Sequence, residues 1–253
     1  MSKSTSNSIS TIAVALTLCL VCSVLVSGVA VGLKPMQDAN AQLDINKNIL
    51  VAAGEIDGAK ATAADVDAKF KDFTVKMVNL KDGTFASEEE ITQAGIADVT
   101  AYSTSDAGKI PELSDAIEQD TAGIGRMPKF AKVYIKADAD GKVESLVLPI
   151  YGAGLWGKIY GFLTLEGDAN TIKGISFYSH KETPGLGALI EEDKFRGQFP
   201  EKKAYSDAGD VAISVTKAGL AKEGLNNFVQ FWLSDKGYKN FLTNLSAGKA
   251  GEV

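Results

Sequence analysis

The chain has 253 residues, of which 45% are hydrophobic and 23% charged, an ordinary composition for a globular protein with a buried core. Its 25 glycines, 6 prolines and 2 cysteines exclude a collagen-like, a low-complexity and a disulfide-stapled chain. A net charge of -6 and an isoelectric point near 5.0 argue against nucleic acid as a partner, because nucleic-acid binders present a basic face. The chain has a single histidine, which argues against a His-rich metal site and against a Ser-His-Asp catalytic site. We therefore assign neither metal ligands nor catalytic residues.

The N-terminal segment is the most apolar part of the chain. Residues 11–33 contain 23 consecutive positions without a charge, and only Lys3 carries one before them. At a rise of about 1.5 Å per residue, a helix of this length spans about 34 Å, enough to cross a hydrocarbon core of about 30 Å. We therefore predict that residues 1–34 form an N-terminal segment with a single transmembrane anchor, for which membrane lipid is a partner.

A cleaved signal peptide is the alternative interpretation of this segment. Gly28, Val29 and Ala30 would form a passable cleavage site. However, the apolar run is longer than a typical signal-peptide core of about 7–15 residues, which favours a retained anchor. The charges of Lys3 and Lys34 nearly balance across the segment, so they do not fix its orientation in the membrane.

Two cysteines lie inside the apolar run. Cys19 and Cys22 are spaced so that both fall on one face of a helix. Such a pair can be a redox pair or half of an iron–sulfur site shared with another subunit. We favour two small apolar residues that face a neighbouring helix, because small side chains are typical of helix contacts in lipid.

The region after the anchor, residues 35–125, is polar but periodic. A helix that extends from the membrane is predicted to end near Gly54, and Thr62 or Asp65 is predicted to cap a second, short helix. Alternation over residues 72–80 predicts a strand. Further local signals are a hairpin turn and a capping box, at residues 82–83 and 87–90. We describe this region as a membrane-proximal, mixed segment.

The C-terminal region, residues 126–253, is predicted to be the main α+β domain. Glycine-rich breaks separate its short alternating runs, and strands so closely spaced pair antiparallel, because parallel neighbours need crossovers of a dozen or more residues. Apolar residues recur at helical spacing around Trp232 and Phe241. The predicted fold is therefore α+β, an antiparallel sheet with helices on one side. The predicted strands are residues 130–135, 143–150, 158–165 and 172–179.

Two glycine-rich loops remain that a packed core does not require. Residues 152–157 lie between two predicted strands, and residues 180–187 follow another. Glycines let a backbone approach a flat ligand closely. Trp156 and Leu186 can supply apolar faces to such a ligand, and Thr183 can supply a hydroxyl. Two tight turns would explain the same glycines equally well.

Four segments, in this chain order, resemble the C subunit of the bacterial sodium-translocating NADH:quinone oxidoreductase. They are VCSVLVSGVAVGL in the anchor, GLW at 154–156, ETPGLG at 182–187 and FVQFWL at 228–233. ETPGLG is the most specific of the four. The G subunit of the Rnf ferredoxin:NAD oxidoreductase shares the flavin-binding fold, but the anchor and the GLW segment look closer to the sodium-translocating enzyme.

The resemblance implies an FMN-binding domain outside the cytoplasm, held by one anchor in the bacterial inner membrane. It implies an electron-transfer subunit, not catalytic alone, whose partners are the other subunits of a complex that passes electrons from NADH to quinone and exports sodium. In flavinylated members the phosphate of FMN is bonded to a threonine hydroxyl. Carried over to this chain, the cofactor-binding residues are Leu155, Trp156, Glu182, Thr183, Gly185, Leu186, Gly187 and Thr216.

The sequence departs from this family at the flavin attachment site. Flavinylated members carry Ser-Gly-Ala-Thr before the last apolar helix, and this motif occurs nowhere in the chain. An ungapped alignment from the FWL segment places Gly219 at the acceptor position. Alignment from the strand predicted at residues 211–215 leaves the motif absent, and we prefer this alignment. Because glycine has no hydroxyl, Ser214 and Thr216 are the nearest possible acceptors, and we expect no phosphoester link at the usual position.

Three functions stay open at this point. The chain is an FMN-carrying electron-transfer subunit, with or without the covalent link, or a structural or assembly subunit that has lost its flavin, or a subunit of an Rnf-type complex. His180 and Glu182 can tune the protonation of a flavin, because a nearby charge biases which form is stable. For His180 we favour the simpler interpretation of a solvated loop residue.

Overall fold

The structure is a computed structural model that describes residues 3–213 and 228–251. The helices in these residues are α1 (Lys3–Ala52), α2 (Ala63–Phe70), α3 (Glu88–Gln93), α4 (Thr104–Ala107), α5 (Asp193–Arg196), α6 (Phe228–Leu233) and α7 (Lys239–Ser246). The strands are β1 (Phe73–Asn79), β2 (Thr84–Phe85), β3 (Ser114–Ala116), β4 (Arg126–Pro128), β5 (Phe130–Ala137), β6 (Val143–Ala153), β7 (Lys158–Glu166) and β8 (Ile172–Ser179). Two 3-10 helices are Pro111–Leu113 and Gly187–Glu191.

Helix α1 contains the predicted anchor. Its side chains from residue 10 to residue 33 are exposed, including a long series of apolar ones. By length and composition, α1 can cross a membrane. Cys19 and Cys22 are free thiols, both exposed on it. The helix ends at Ala52, close to the predicted end at Gly54.

Two short helices begin where the sequence predicts them. At α2, the Thr62 hydroxyl accepts a hydrogen bond from the N–H of Asp65 (3.3 Å), and the Asp65 carboxylate accepts one from the N–H of Thr62 (2.9 Å). Thr62 is therefore the N-cap, and Asp65 completes a capping box. The same reciprocal pair, Ser87 and Glu90, begins α3. Both predicted starts are confirmed.

The main sheet has six strands in the order β2-β1-β5-β6-β7-β8, and every neighbouring pair is antiparallel. The longest pairing joins β6 to β7, from Ser145 opposite Glu166 to Ala153 opposite Lys158. Strand β7 in turn pairs with β8. The four predicted strands and their antiparallel order are confirmed. This arrangement places the β6–β7 turn and the end of β8 on neighbouring strands.

Helices cover both faces of this sheet. On one face, Val133 of β5 belongs to the main core together with Trp232 of α6. On the other face, Phe130 packs with Tyr102 and with Ala107 of α4 in a second core. The expected placement of helices on one side only is therefore wrong. Strand β5 has buried residues on both of its faces, with Val133 on one and Phe130 and Tyr134 on the other, so each face needs a cover.

The C-terminal helices hold the end of β6 that leads into the first glycine-rich loop. The fully buried Trp232 donates from Nε1 to the carbonyl oxygen of Tyr151, 2.7 Å away. The hydroxyl of Tyr238 donates to the carbonyl oxygen of Pro149 at 2.8 Å. Both bonds reach strand carbonyls within a few residues of Gly154, so α6 and its following turn fix the base of that loop.

The chain separates into two compact units, residues 1–44 and residues 45–253. Within the second unit, β1 from the membrane-proximal region pairs along its whole length with β5. The division predicted from the sequence, into residues 1–34, 35–125 and 126–253, stays a prediction.

Candidate functional site

The first glycine-rich loop is a tight turn between β6 and β7. The N–H of Gly154 donates to the carbonyl oxygen of Gly157 at 2.7 Å, which closes the turn. The two residues between them cannot bury their side chains in so short a loop. Leu155 is 82% exposed and Trp156 is 65% exposed.

The second loop follows β8 and contains a β-turn that the sequence Thr-Pro-Gly-Leu dictates. Proline fixes φ at the first central position of a type II turn, and the second central position needs a positive φ, which glycine adopts freely. Gly185 has a φ of 73°, and the N–H of Leu186 donates to the carbonyl oxygen of Thr183 at 3.1 Å. Leu186 leaves this turn with its side chain 71% exposed.

The carboxylate of Glu182 joins the two loops. Its Oε1 accepts a hydrogen bond from the N–H of Trp156 at 3.2 Å. A Cβ on Gly154 would overlap Oε1, and a Cβ on Gly187 would lie 2.6 Å from Oε2. Both glycines therefore make room for this carboxylate. The structure therefore brings the two glycine-rich loops together.

The exposed apolar side chains of the globular unit concentrate on these loops. Among the described residues outside α1, the large hydrophobic side chains that remain exposed are Ile110, Leu155, Trp156, Leu186 and Leu189. Three of these five lie on the two loops, and the fourth, Leu189, lies in the 3-10 helix that directly follows the second loop. We call these four the apolar rim: Leu155, Trp156, Leu186 and Leu189. Because leaving apolar area in water is unfavourable, such a concentration marks a surface that binds a ligand or a partner.

The backbone of the two loops also offers hydrogen-bond donors. Among the described residues, no protein acceptor is found for the N–H groups of Leu155, Gly185 and Gly187. A flat heterocycle with ring carbonyls, such as an isoalloxazine, needs apolar contacts for its faces and donors for its edge. The apolar rim and these N–H groups supply both, so the residues present fit FMN.

Two lysines carry positive charge beside the first loop. The Lys158 ammonium donates to the carbonyl oxygen of Ile124 at 2.9 Å and lies 5.5 Å from the ring centroid of Tyr151. Burial and the neighbouring Lys109 lower the pKa of Lys158. The stem of Lys181 packs against Gly157. Positive charge at this place suits an anionic ligand.

The comparisons with known proteins agree with this geometry. The FMN-binding domain family matches residues 154–234, which begin at the first loop and include the second. The C subunit of the Na+-translocating NADH-quinone reductase of Pseudomonas aeruginosa is 38% identical to the chain, over 95% of this chain and 97% of its own length. Its counterpart from Pasteurella multocida is 36% identical, over 94% of each chain. This chain belongs to the C-subunit family of the Na+-translocating NADH-quinone reductases.

A solved structure of the same family has the same fold. The crystal structure of Shewanella oneidensis NqrC superposes with a TM-score of 0.69 at 27% identity, covering 83% of this chain and 99% of that one. The predicted family and the predicted α+β fold class, an apolar N-terminal helix followed by an antiparallel-sheet domain, are confirmed.

His180, two residues before the ETPGLG motif, has an environment that differs from our expectation. The side chain of His180 is only 9% exposed. Its expected role as a solvated loop residue is wrong. Its imidazole contacts the backbone of Glu182 and the carboxylate of Glu191.

One predicted site residue cannot be placed. Thr216, like Ser214 and Gly219, lies outside the described residues. Just before this segment, Val211 makes an isolated bridge with Tyr205. The assignment of Thr216 to cofactor binding stays a prediction, as do the roles of the other seven predicted residues.

Two residues of the site, Leu189 and Glu191, were not predicted from the sequence. Both lie in the 3-10 helix that follows the ETPGLG motif. Leu189 is 43% exposed, and an apolar residue in a short irregular segment gives no periodic signal. The contact of Glu191 with His180 joins residues eleven positions apart through a loop, a spacing that no helix or strand pattern predicts.

Proposed function

We propose that this chain is the FMN-carrying electron-transfer subunit of a Na+-translocating NADH-quinone reductase, which passes electrons toward quinone in a complex that exports sodium. The proposal rests on the apolar rim and on the Glu182 carboxylate that joins the two loops. Both lie inside the segment that matches the FMN-binding domain. The curated relatives bear the name of this reductase, which favours it over an Rnf-type complex.

The cofactor supplies the redox chemistry, because FMN accepts and donates electrons one or two at a time. The chain supplies binding and orientation. Trp156 and Leu186 cover ring surface and exclude water, which strengthens every polar contact in the site. The N–H groups of Leu155, Gly185 and Gly187 would donate to the ring carbonyls. Glu182 joins the two loops in the FMN-free protein, so their relative position does not have to be set when FMN binds.

Binding of free FMN tests this function directly. FMN has about 31 heavy atoms, and a ligand of this size gains about 0.3 kcal/mol of binding free energy per atom. This corresponds to a Kd of ~1 µM or tighter. We expect titration of the purified, detergent-extracted chain to quench FMN fluorescence saturably at this level. An absence of saturable quenching would favour the alternative of a structural or assembly subunit without flavin.

We further propose that α1 crosses the bacterial inner membrane once, is retained in the mature protein, and leaves residues 45–253 outside the cytoplasm. The uncharged length of α1 supports a span, because only a helix satisfies all its backbone hydrogen bonds in lipid. Intact-mass analysis is expected to find residues 1–33 in the membrane-extracted protein. A mature N-terminus after Ala30 would contradict retention of the helix. Alkaline phosphatase is active only outside the cytoplasm, so an inactive C-terminal fusion would contradict the proposed location of residues 45–253.

A further inference from the structure

We propose that His180 is a positioning residue that closes the segment 181–191, the second loop together with the 3-10 helix after it, by holding both ends of this segment. The inference rests on the proposed function, because the segment held in this way carries two residues of the apolar rim. His180 follows directly after β8, and it is the only histidine of the chain.

The first contact fixes the beginning of the segment. The backbone N–H of Glu182 donates to Nδ1 of His180 at 3.2 Å. A ring nitrogen that accepts a hydrogen bond carries no proton, so the neutral imidazole has its proton on Nε2. The backbone of Glu182 is thereby held, and its carboxylate is aimed at the N–H of Trp156 in the other loop.

The second contact fixes the end of the segment. Nε2 of His180 lies 2.9 Å from Oε1 of Glu191, the last residue of the 3-10 helix. The N–H direction does not line up with this oxygen, so the contact is mainly electrostatic. The tautomer assigned from the first contact places the proton on the side of the Glu191 carboxylate. The two contacts therefore agree with one protonation state of the ring.

The consequence is a segment with two fixed ends. Leu186 and Leu189 lie between Glu182 and Glu191, and the held ends remove conformational freedom that ligand binding would otherwise have to remove. Loss of both contacts should release Glu182 and, through it, the join to Trp156. His180 thus affects the flavin site without touching the flavin.

Three variants of the full chain separate the two contacts. His180→Asn keeps an acceptor oxygen near the position of Nδ1, and His180→Gln keeps an N–H donor near the position of Nε2, whereas His180→Ala loses both. We expect His180→Ala to raise the Kd for FMN about tenfold, the size of effect that the loss of about one hydrogen bond has, and each conservative variant to recover part of the loss. Glu191→Ala should resemble His180→Asn, and the adjacent, exposed Glu192→Ala is the matched control that should bind as the wild type does.

Measurements without flavin distinguish a failure of this inference from a failure of the proposed function. Amide exchange of residues 181–191 in the FMN-free protein should accelerate about tenfold in His180→Ala and stay unchanged in Glu192→Ala. The nitrogen spectrum of the single histidine should show a proton on Nε2 only. If the wild type binds no FMN but the exchange rates and the nitrogen spectrum are as expected, the role of His180 is supported and the proposed flavin function is wrong. If all variants bind FMN and exchange like the wild type, or if Nδ1 carries the proton, the inference is overturned.

Discussion

Leu186→Asp is expected to abolish FMN binding and to leave the fold intact. In the FMN-free protein the side chain at position 186 is mostly exposed, so a carboxylate there remains hydrated. On binding, the carboxylate would lie against an apolar ring face and lose that hydration, which costs several kcal/mol when no partner compensates. A loss of that size raises the Kd at least about 100-fold. The fluorescence titration measures the Kd, and thermal unfolding should give a Tm equal to that of the wild type.

Ile110→Asp is the matched control for this substitution. Ile110 is 42% exposed and lies outside both glycine-rich loops, so the same change of chemistry at that place should not affect FMN. Leu186→Met, which keeps an apolar side chain of similar volume, should bind FMN within about threefold of the wild type. If Leu186→Asp bound FMN as tightly as Ile110→Asp does, FMN would not lie against the second loop.

The parts of the fold that the sequence predicts well are those set by local chemistry. Thr62 and Ser87 are capping residues followed three positions later by a carboxylate, and α2 and α3 begin at them. The glycine-rich break before Lys158 separates two alternating runs, and β6 and β7 pair across it. These signals lie within a few residues, so no knowledge of the tertiary structure is needed to use them.

The parts that the sequence does not predict depend on distant contacts. Strands β3 and β4 are three residues each and pair across a long irregular segment, where the Arg126 guanidinium donates to the Ser114 hydroxyl at 2.8 Å. No alternating pattern can be detected over three residues. The same holds for the site. The two loops follow adjacent strands, which indicates that they are neighbours. The contacts of Glu182 with Trp156 and of His180 with Glu191 cannot be predicted in this way, because they depend on side-chain orientations that the folded backbone sets.

No phosphoester-linked FMN is expected on this chain, even when it is produced together with the flavin transferase. The link requires a hydroxyl on the protein, since the phosphate must be bonded to an oxygen nucleophile. Ungapped alignment puts Gly219 at that position, and the preferred alignment leaves no residue there. Thr216 is the nearest threonine, but Lys217 places a long cationic side chain where the family motif has glycine. The FMN of this subunit should therefore be bound reversibly.

Peptide mass mapping measures this directly. We expect peptides that cover residues 210–224 to show their unmodified masses, and a denaturing gel to show no fluorescent flavin band. The triple variant Thr216→Ser, Lys217→Gly, Gly219→Thr restores Ser-Gly-Ala-Thr at residues 216–219 and is the positive control. An FMN-sized adduct on the triple variant alone would assign the missing link to these residues. An adduct on the wild-type peptide would refute the prediction, and Thr216→Ala would then show whether Thr216 or Ser214 carries it.

Reversible binding changes what the two loops must do. A covalently attached flavin stays at its site even when the loops hold it weakly, because the link keeps its effective concentration high. A reversibly bound flavin depends on the apolar rim and on the Glu182 join for its whole affinity. Loop variants should therefore lose FMN on gel filtration, whereas the same substitutions in the triple variant, once flavinylated, should retain it. If Leu186→Asp lost no FMN in the unlinked chain, contacts outside the two loops would supply the affinity.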